Sequence, residues 1–368
     1  MKLQRLGILA GIALTATVAL AACGTNSNGN NASSNSKPAA GCATGTVNAQ
    51  GSTAQQNAIA MWIKNYNQKC GSAAKINYNG TGSGAGETAF IQGTADFAGS
   101  DSALTPGDQQ NQANGRCKTG PAIDLPMVVG PIAVVYNLQG VSTTLQFKPA
   151  TLAQIFSGKI TNWNDPTIAA DNSGVKLPNL KITTVHRSDS SGTSANFTNY
   201  LSQTAPTDWT FGSNKVWPGP GGDAENGSAG IATELKATNG AIGYVEWSYV
   251  TLNSLTMAKI YNGAGEWSAL SAQSAGQTIA GAKIVGTGDD LSMNIDYSTN
   301  TSGAYPIVLV TYEIVCDKGN SSKTLPLVKS FLEYTASTDG QNALTSVGSA
   351  PLPETVRSKV ASIVANLS

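Results

Sequence analysis

The chain has 368 residues, with 22 Lys+Arg against 22 Asp+Glu and one His, so it carries no bulk field that would draw in nucleic acid or another polyanion. Its 40% hydrophobic content and length suffice for two domains with real cores. With one His and no C-x-x-C pair there is no basis for a zinc site; no metal or cofactor is expected, and any bound anion has to be held by local dipoles and a few named charges.

Lys2 and Arg5 precede an apolar run from Leu6 to Leu20, closed by Leu20-Ala21-Ala22-Cys23. The run is too short for a spanning helix and too closely followed by small residues, so 1–22 reads as a secretory signal. The cysteine at the cleavage point resembles a bacterial lipobox, implying a lipid anchor at Cys23. Gly24 to Ala40 is rich in Asn, Ser and Gly and cannot bury a core, so 23–42 reads as a tether. Cys42, Cys70, Cys117 and Cys316 remain, an even number that in an exported chain favours two disulfides. Three pairings are open to four cysteines; the favoured one joins Cys42 to Cys70 and Cys117 to Cys316.

Past the tether, Gly45 to Gln50 is a strand candidate ending at Gly51-Ser52-Thr53, followed by helical spacing with Ile59, Trp62, Ile63 and Tyr66 on one face. Lys75 to Tyr78 is a second strand running into Asn79-Gly80-Thr81-Gly82-Ser83-Gly84-Ala85-Gly86, with Ser83 preceding a helix over about 85–92. That loop is neither a Walker loop nor a G-x-G-x-x-G turn. Ala95 to Ala98 is a short strand that ends in Gly99-Ser100-Asp101-Ser102, which puts Asp101 at a strand end, where ligands gather in α/β sheets. Pro126 to Asn137 and Tyr305 to Val315 are nearly continuous apolar runs, as for strands buried on both faces.

Between them lie a helix near Thr151 to Phe156, a strand from Leu180 to Val185 and the stretch His186-Arg187-Ser188-Asp189-Ser190-Ser191-Gly192-Thr193-Ser194. Phe197, Tyr200 and Leu201 then share one helical face, so this stretch is the turn into a helix N-terminus, where free N–H groups and the helix dipole favour an anion. Arg187 adds a planar donor fork suited to carboxylate or phosphate. A helix over 230–236, the strand 241–245 and helices over 321–336 and 351–366 complete the order. Strands alternating with helices indicate a mostly parallel sheet with helices on both faces. If the run at 126–137 crosses between two domains, the hydroxyl-bearing turns and Asp101 face each other across a cleft.

With those motifs in their order behind a lipobox, the chain from about Thr46 to its last helix resembles the phosphate-binding proteins of phosphate ABC transporters. The resemblance rests on Gly51-Ser52-Thr53, the Gly-rich turn 79–84, Asp96-Phe97-Ala98-Gly99-Ser100-Asp101, Arg187 to Thr193, and Gly240-Ala241-Ile242-Gly243-Tyr244-Val245-Glu246. It implies a two-lobe periplasmic-binding-protein fold (type II), each lobe a mixed, mostly parallel α/β sheet flanked by helices. The lobes would be 43–133 plus 305–368 and 134–304, joined by hinge crossovers near 134–137 and 302–307. It also implies that Thr53, the Ala54 N–H, Ser83, Ser191, Gly192 and Thr193 contact phosphate, that Arg187 pairs with the anion and is oriented by Asp189, and that Asp101 accepts from a P–OH. Ser52 and Ser190 stand just behind. Ala54 occupies a position where the family commonly has an aromatic, and Ser190 one where it commonly has Gly, so both 190 and 191 are candidates for the contacting hydroxyl. The implied partners are inorganic phosphate and the transmembrane permease subunits of the transporter; the protein is expected to be a monomer, anchored by lipid to the outer face of the cell membrane.

Catalysis is not expected. His186 directly precedes Arg187 on a strand, where adjacent side chains point to opposite faces, so it is poorly placed as a base for Ser190 or Ser191, and no G-x-S-x-G elbow is present. A site for another tetrahedral oxyanion, such as sulfate or molybdate, remains the alternative, and Asp101 is the discriminating residue. A fully deprotonated ligand would set an oxygen against an unpaired carboxylate.

Overall fold

A computed structural model describes residues 41–368. The expected signal, the lipidation at Cys23 and the tether up to residue 40 lie outside them. The strands of the main sheet are β1 (Gly45–Gly51), β2 (Ala74–Gly80), β3 (Phe97–Ser100), β4 (Ala122–Tyr136), β5 (Thr183–Arg187), β6 (Asp223–Glu225), β7 (Ala241–Glu246), β8 (Thr256–Met257) and β9 (Val308–Cys316). They lie in the order β2-β1-β3-β9-β4-β7-β5-β6, with β8 on the second half of β4.

The two apolar runs form the middle of this sheet, and every residue of β4 and β9 is buried. Helices and neighbouring strands cover both faces, which is why these strands lack polar alternation. The first half of β4 pairs antiparallel with β9, from Ala122 opposite Cys316 to Pro131 opposite Val308. From Ile132, opposite Glu246, to Tyr136 it pairs with β7 instead. One continuous strand thus belongs to both halves of the sheet, and the change of partner falls at 131–132, slightly ahead of the expected crossover at 134–137.

The sheet is more mixed than the alternating pattern suggests. The flanking pairs β1/β2, β1/β3, β5/β6 and β5/β7 are parallel, as helical crossovers require, whereas β3/β9, β9/β4 and β4/β7 are antiparallel. The reason is topological: β4 leads the chain out of the first half and β9 leads it back.

The helices that matter for the site start at strand ends. They are α1 (Gln56–Cys70), which buries Ala58, Ile59, Trp62 and Tyr66, and α2 (Ser83–Ile91). Next come α3 (Asp108–Cys117), α4 (Gly192–Thr204), α5 (Gly227–Ala237) and α6 (Trp247–Asn253). Helix α1 begins three residues after Thr53, so Ser52 and Thr53 lie in the turn before it rather than at its first residue. Helix α3 has no counterpart in the sequence reading. Its sequence, DQQNQANGRC, buries only Ala113 and Cys117 and offers no apolar period, and its end is tied to β9 by a disulfide. The disulfides are Cys42–Cys70 and Cys117–Cys316, the favoured pairing. Among the described residues no helix is long and apolar enough to cross a membrane.

Candidate anion-binding site

The last residues of β5 present alternate faces, as a strand must. His186 stacks on Trp217, ring centroids 4.9 Å apart, and its Nδ1 lies 3.0 Å from the Arg187 carbonyl oxygen. Arg187 is almost wholly buried, with its guanidinium on the Asp189 carboxylate: Nε donates to Oδ1 at 2.6 Å and Nη2 to Oδ2. Its third edge, Nη1, donates to Ser228 Oγ at 3.3 Å. Burial opposes the Arg187 charge, but the hydrogen bonds and charge of Asp189 outweigh it and raise its pKa further. Burial likewise works against the Asp189 carboxylate, and Arg187 together with the Gly227 N–H overcomes it, holding the acid below its usual range. The pair is therefore a fixed, oriented donor fork in a dry setting.

Across from it, Asp101 sits buried at the end of β3. Oδ1 accepts from Ser52 Oγ at 2.5 Å and Thr311 Oγ1 at 2.8 Å, and Oδ2 from Ser83 Oγ at 3.1 Å. Burial, and then the charge of Glu246, push the carboxyl up to about 6 from its ordinary 3.8 against the pull of those three hydroxyls. A carboxyl so poised is a proton acceptor set among donors.

The two sets meet. Gly192 N donates to Ser83 Oγ at 3.2 Å, Thr53 Oγ1 and Ser228 Oγ are 2.8 Å apart, and Tyr249 OH donates to the Thr53 carbonyl at 3.1 Å. Asn196 Nδ2 donates to the Asp101 carbonyl at 2.7 Å, and Gly84 N to the Ser190 carbonyl at 3.1 Å. Two glycines make this approach possible. A Cβ at Gly192 would stand 2.5 Å from Asp101 Cβ, and one at Gly82, whose φ is +92°, would strike Asp189.

Thr53, Ser83, Asp101, Arg187, Gly192 and Asp189 thus converge, with Ser52 behind Asp101. The other expected residues are placed differently. The Ala54 N–H is 3.0 Å from Ser52 Oγ, Ser191 Oγ caps α4 by accepting from Ser194 N, and Thr193 Oγ1 donates to Glu246 Oε1. Ser190 lies half-buried against Gly84. The sequence reading left Ser228, Tyr249, Thr311 and Glu246 without a role. Only Glu246 carried a signal, as the last residue of the 240–246 motif. Thr311 lies inside an apolar strand, where nothing local marks it.

A cavity of about 760 Å³ opens beside this site. It reaches Asp101, Gly84, Ser190 and Asn196 but not Arg187 or Gly192. Its wall carries an ion pair between Glu87 of α2 and Lys215, whose carbonyl oxygen accepts from Ser191 N. Among the described residues no cluster of His, Cys, Asp and Glu is placed to hold a metal ion.

Compared with known proteins, the chain matches the PBP superfamily domain over residues 36–339. It is 41% identical over 376 residues to the phosphate-binding protein PstS2 of Mycobacterium bovis (strain BCG / Pasteur 1173P2), covering 99% of each chain. It is also 41% identical over 375 residues to the phosphate-binding protein PstS 2 of Mycobacterium tuberculosis (strain ATCC 25618 / H37Rv), again over 99% of each. In fold it is similar to a solved high-affinity periplasmic phosphate-binding protein, PfluDING, bound with phosphate. That match has a TM-score of 0.70 at 23% identity, over 86% of this chain and 93% of the other. The fold is the PBP-like α/β arrangement with a mixed sheet.

Proposed function

Because this chain belongs to the PstS family of phosphate-binding proteins within the PBP superfamily, we propose that it captures inorganic phosphate outside the cytoplasm and hands it to the permease of an ABC transporter. The observation that carries the reading is the opposition of one buried, preorganised Arg187–Asp189 fork to one buried acceptor, Asp101, with the hydroxyls of Thr53, Ser83 and Ser228 between them. Phosphate near neutral pH presents several acceptor oxygens and at least one P–OH, and this complement of groups suits it. Thr53, Ala54, Ser83, Asp101, Arg187, Ser191, Gly192 and Thr193 are the proposed contacts. For Ala54, Ser191 and Thr193 the contact requires the backbone N–H or hydroxyl to exchange its present partner for the anion.

The segments 43–133 plus 305–368 and 134–304 act as two lobes that close on the ligand, and the closed form is the one the permease recognises. The lipid anchor at Cys23 keeps the protein at the outer face of the membrane. Calorimetric titration with phosphate and sulfate side by side tests the reading. Tight binding of phosphate with no heat from sulfate is expected, and preference for sulfate or molybdate would overturn it.

A further inference from the structure

The N-termini of α2 and α4 meet at the enclosed centre, where Ser83, the first residue of α2, accepts from the N–H of Gly192, the first residue of α4. One turn into α2, the Glu87 carboxylate is almost wholly buried. Its Oε1 accepts from Ser100 Oγ at 2.7 Å, its Oε2 from Gln109 Nε2 at 2.6 Å, and its charged partner is Lys215, whose Nζ donates to Oε1. Lys215 is in turn fastened along α4. Its carbonyl accepts from Ser191 N at 2.9 Å, Asn214 N donates to Thr198 Oγ1 at 3.1 Å, and Ser213 Oγ donates to the Ala195 carbonyl at 2.9 Å. Every other ion pair among the described residues lies within one of the segments 43–133 plus 305–368 and 134–304; Glu87–Lys215 alone joins them.

We propose that this ion pair is a latch: it holds the two segments together over the bound anion and so sets how fast phosphate leaves, without touching it. The inference rests on the phosphate capture and lobe closure proposed above. Both residues line the cavity beside the site, so with the lobes apart water solvates the two charges separately. With the lobes together the Glu87 side chain is only 2% exposed, and Lys215 is what compensates its charge. Removing the cation therefore penalises the closed form and not the open one, which speeds opening and leaves the encounter with phosphate unchanged.

Binding and release of radiolabelled inorganic phosphate, the release chased with unlabelled phosphate, give the two rates. In Lys215→Met dissociation should quicken at least about tenfold, association should stay within about twofold, and the preference for phosphate over sulfate should be unchanged. Lys215→Arg should restore most of the loss. Glu87→Gln separates a latch from a field effect. It removes a negative charge near the site, so a plain Coulomb effect would tighten phosphate, whereas loss of a latch quickens release as Lys215→Met does. Tighter binding in Glu87→Gln, unchanged dissociation in either variant, a loss in Lys215→Met that falls on association, or a shifted anion preference would overturn the proposal while leaving phosphate capture intact. X-ray scattering of the wild-type protein should show a smaller radius of gyration with phosphate than without. No contraction would remove the closure on which the latch acts, and no phosphate binding by wild type would overturn the function itself. Either variant suffices if the other fails to fold.

Discussion

The Ser83 hydroxyl donates to Asp101 Oδ2 at 3.1 Å and accepts from the Gly192 N–H at 3.2 Å, so one oxygen at the start of α2 joins the acceptor of one half of the sheet to the helix N-terminus of the other. Asp101 and Arg187 are thereby held in one enclosed space although they lie on different strands.

Asp101 should decide which oxyanion is held. Sulfate has no proton to offer near neutral pH and leaves the carboxylate unpaired, at a cost of about 1–3 kcal/mol or more for a charged group. Asp101→Asn should narrow the preference for phosphate over sulfate by at least about tenfold. Parallel calorimetric titrations of both anions read this, and an unchanged ratio would remove Asp101 from its proposed role.

Arg187 should matter more than any single hydroxyl. A charge-assisted hydrogen bond contributes about 1.5–3 kcal/mol and a neutral one about 0.5–1.5 kcal/mol, and loss of Arg187 also strands the buried Asp189. Phosphate affinity should therefore fall further in Arg187→Ala than in Ser83→Ala; the reverse order in measured Kd would contradict the assignment.

The ligand-free protein should gain stability as pH falls from about 8 to 5. Burial raises Asp101 from 3.8 to about 6 and Glu313 from 4.5 to about 8, so in that window the folded state holds protons that the unfolded state has lost. Stability from both groups is complete below their unfolded values and is lost as pH rises through the folded ones. For Asp101 alone the span is on the order of 3 kcal/mol. Thermal unfolding in phosphate-free buffer at several pH values reads the slope. Glu313→Gln should flatten it towards the alkaline end, and a slope identical to wild type would show that Glu313 does not titrate there.

Of the two disulfides, Cys117–Cys316 should contribute more. It spans 199 residues against 28 for Cys42–Cys70. Loop-closure entropy then assigns it about 5 kcal/mol and the shorter one about 3–4 kcal/mol, in a model that sets upper bounds. It also anchors α3, which has almost no apolar face of its own. Cys117→Ala with Cys316→Ala should lower the unfolding midpoint more than Cys42→Ala with Cys70→Ala; a larger loss from the second pair would mean that loop length does not govern here.

What the chain determines by itself is local. The apolar runs that become β4 and β9, the helical face of Ile59, Trp62 and Tyr66, and the hydroxyl-rich turns at 51–53, 79–84 and 187–194 are legible because periodicity and turn chemistry act over a few residues. Asp101 and Arg187 stand out in the same way, one as an acid at a strand end and the other as a fork before a helix. Tertiary structure alone decided the rest. Ser228 reaches Thr53 across 175 residues, Thr311 reaches Asp101 across 210, and Glu246 reaches Thr193 across 53. Ser228 and Thr311 do not differ locally from a buried helix or strand position, and Glu246 is marked only as the last residue of the 240–246 motif. The antiparallel centre of the sheet, which follows from the path out and back, and the helix at 108–117, whose end is tied to β9 by a disulfide, belong here too. Pairings of such span depend on which faces the packed strands and helices bring together, and no pattern within a short window of sequence encodes that.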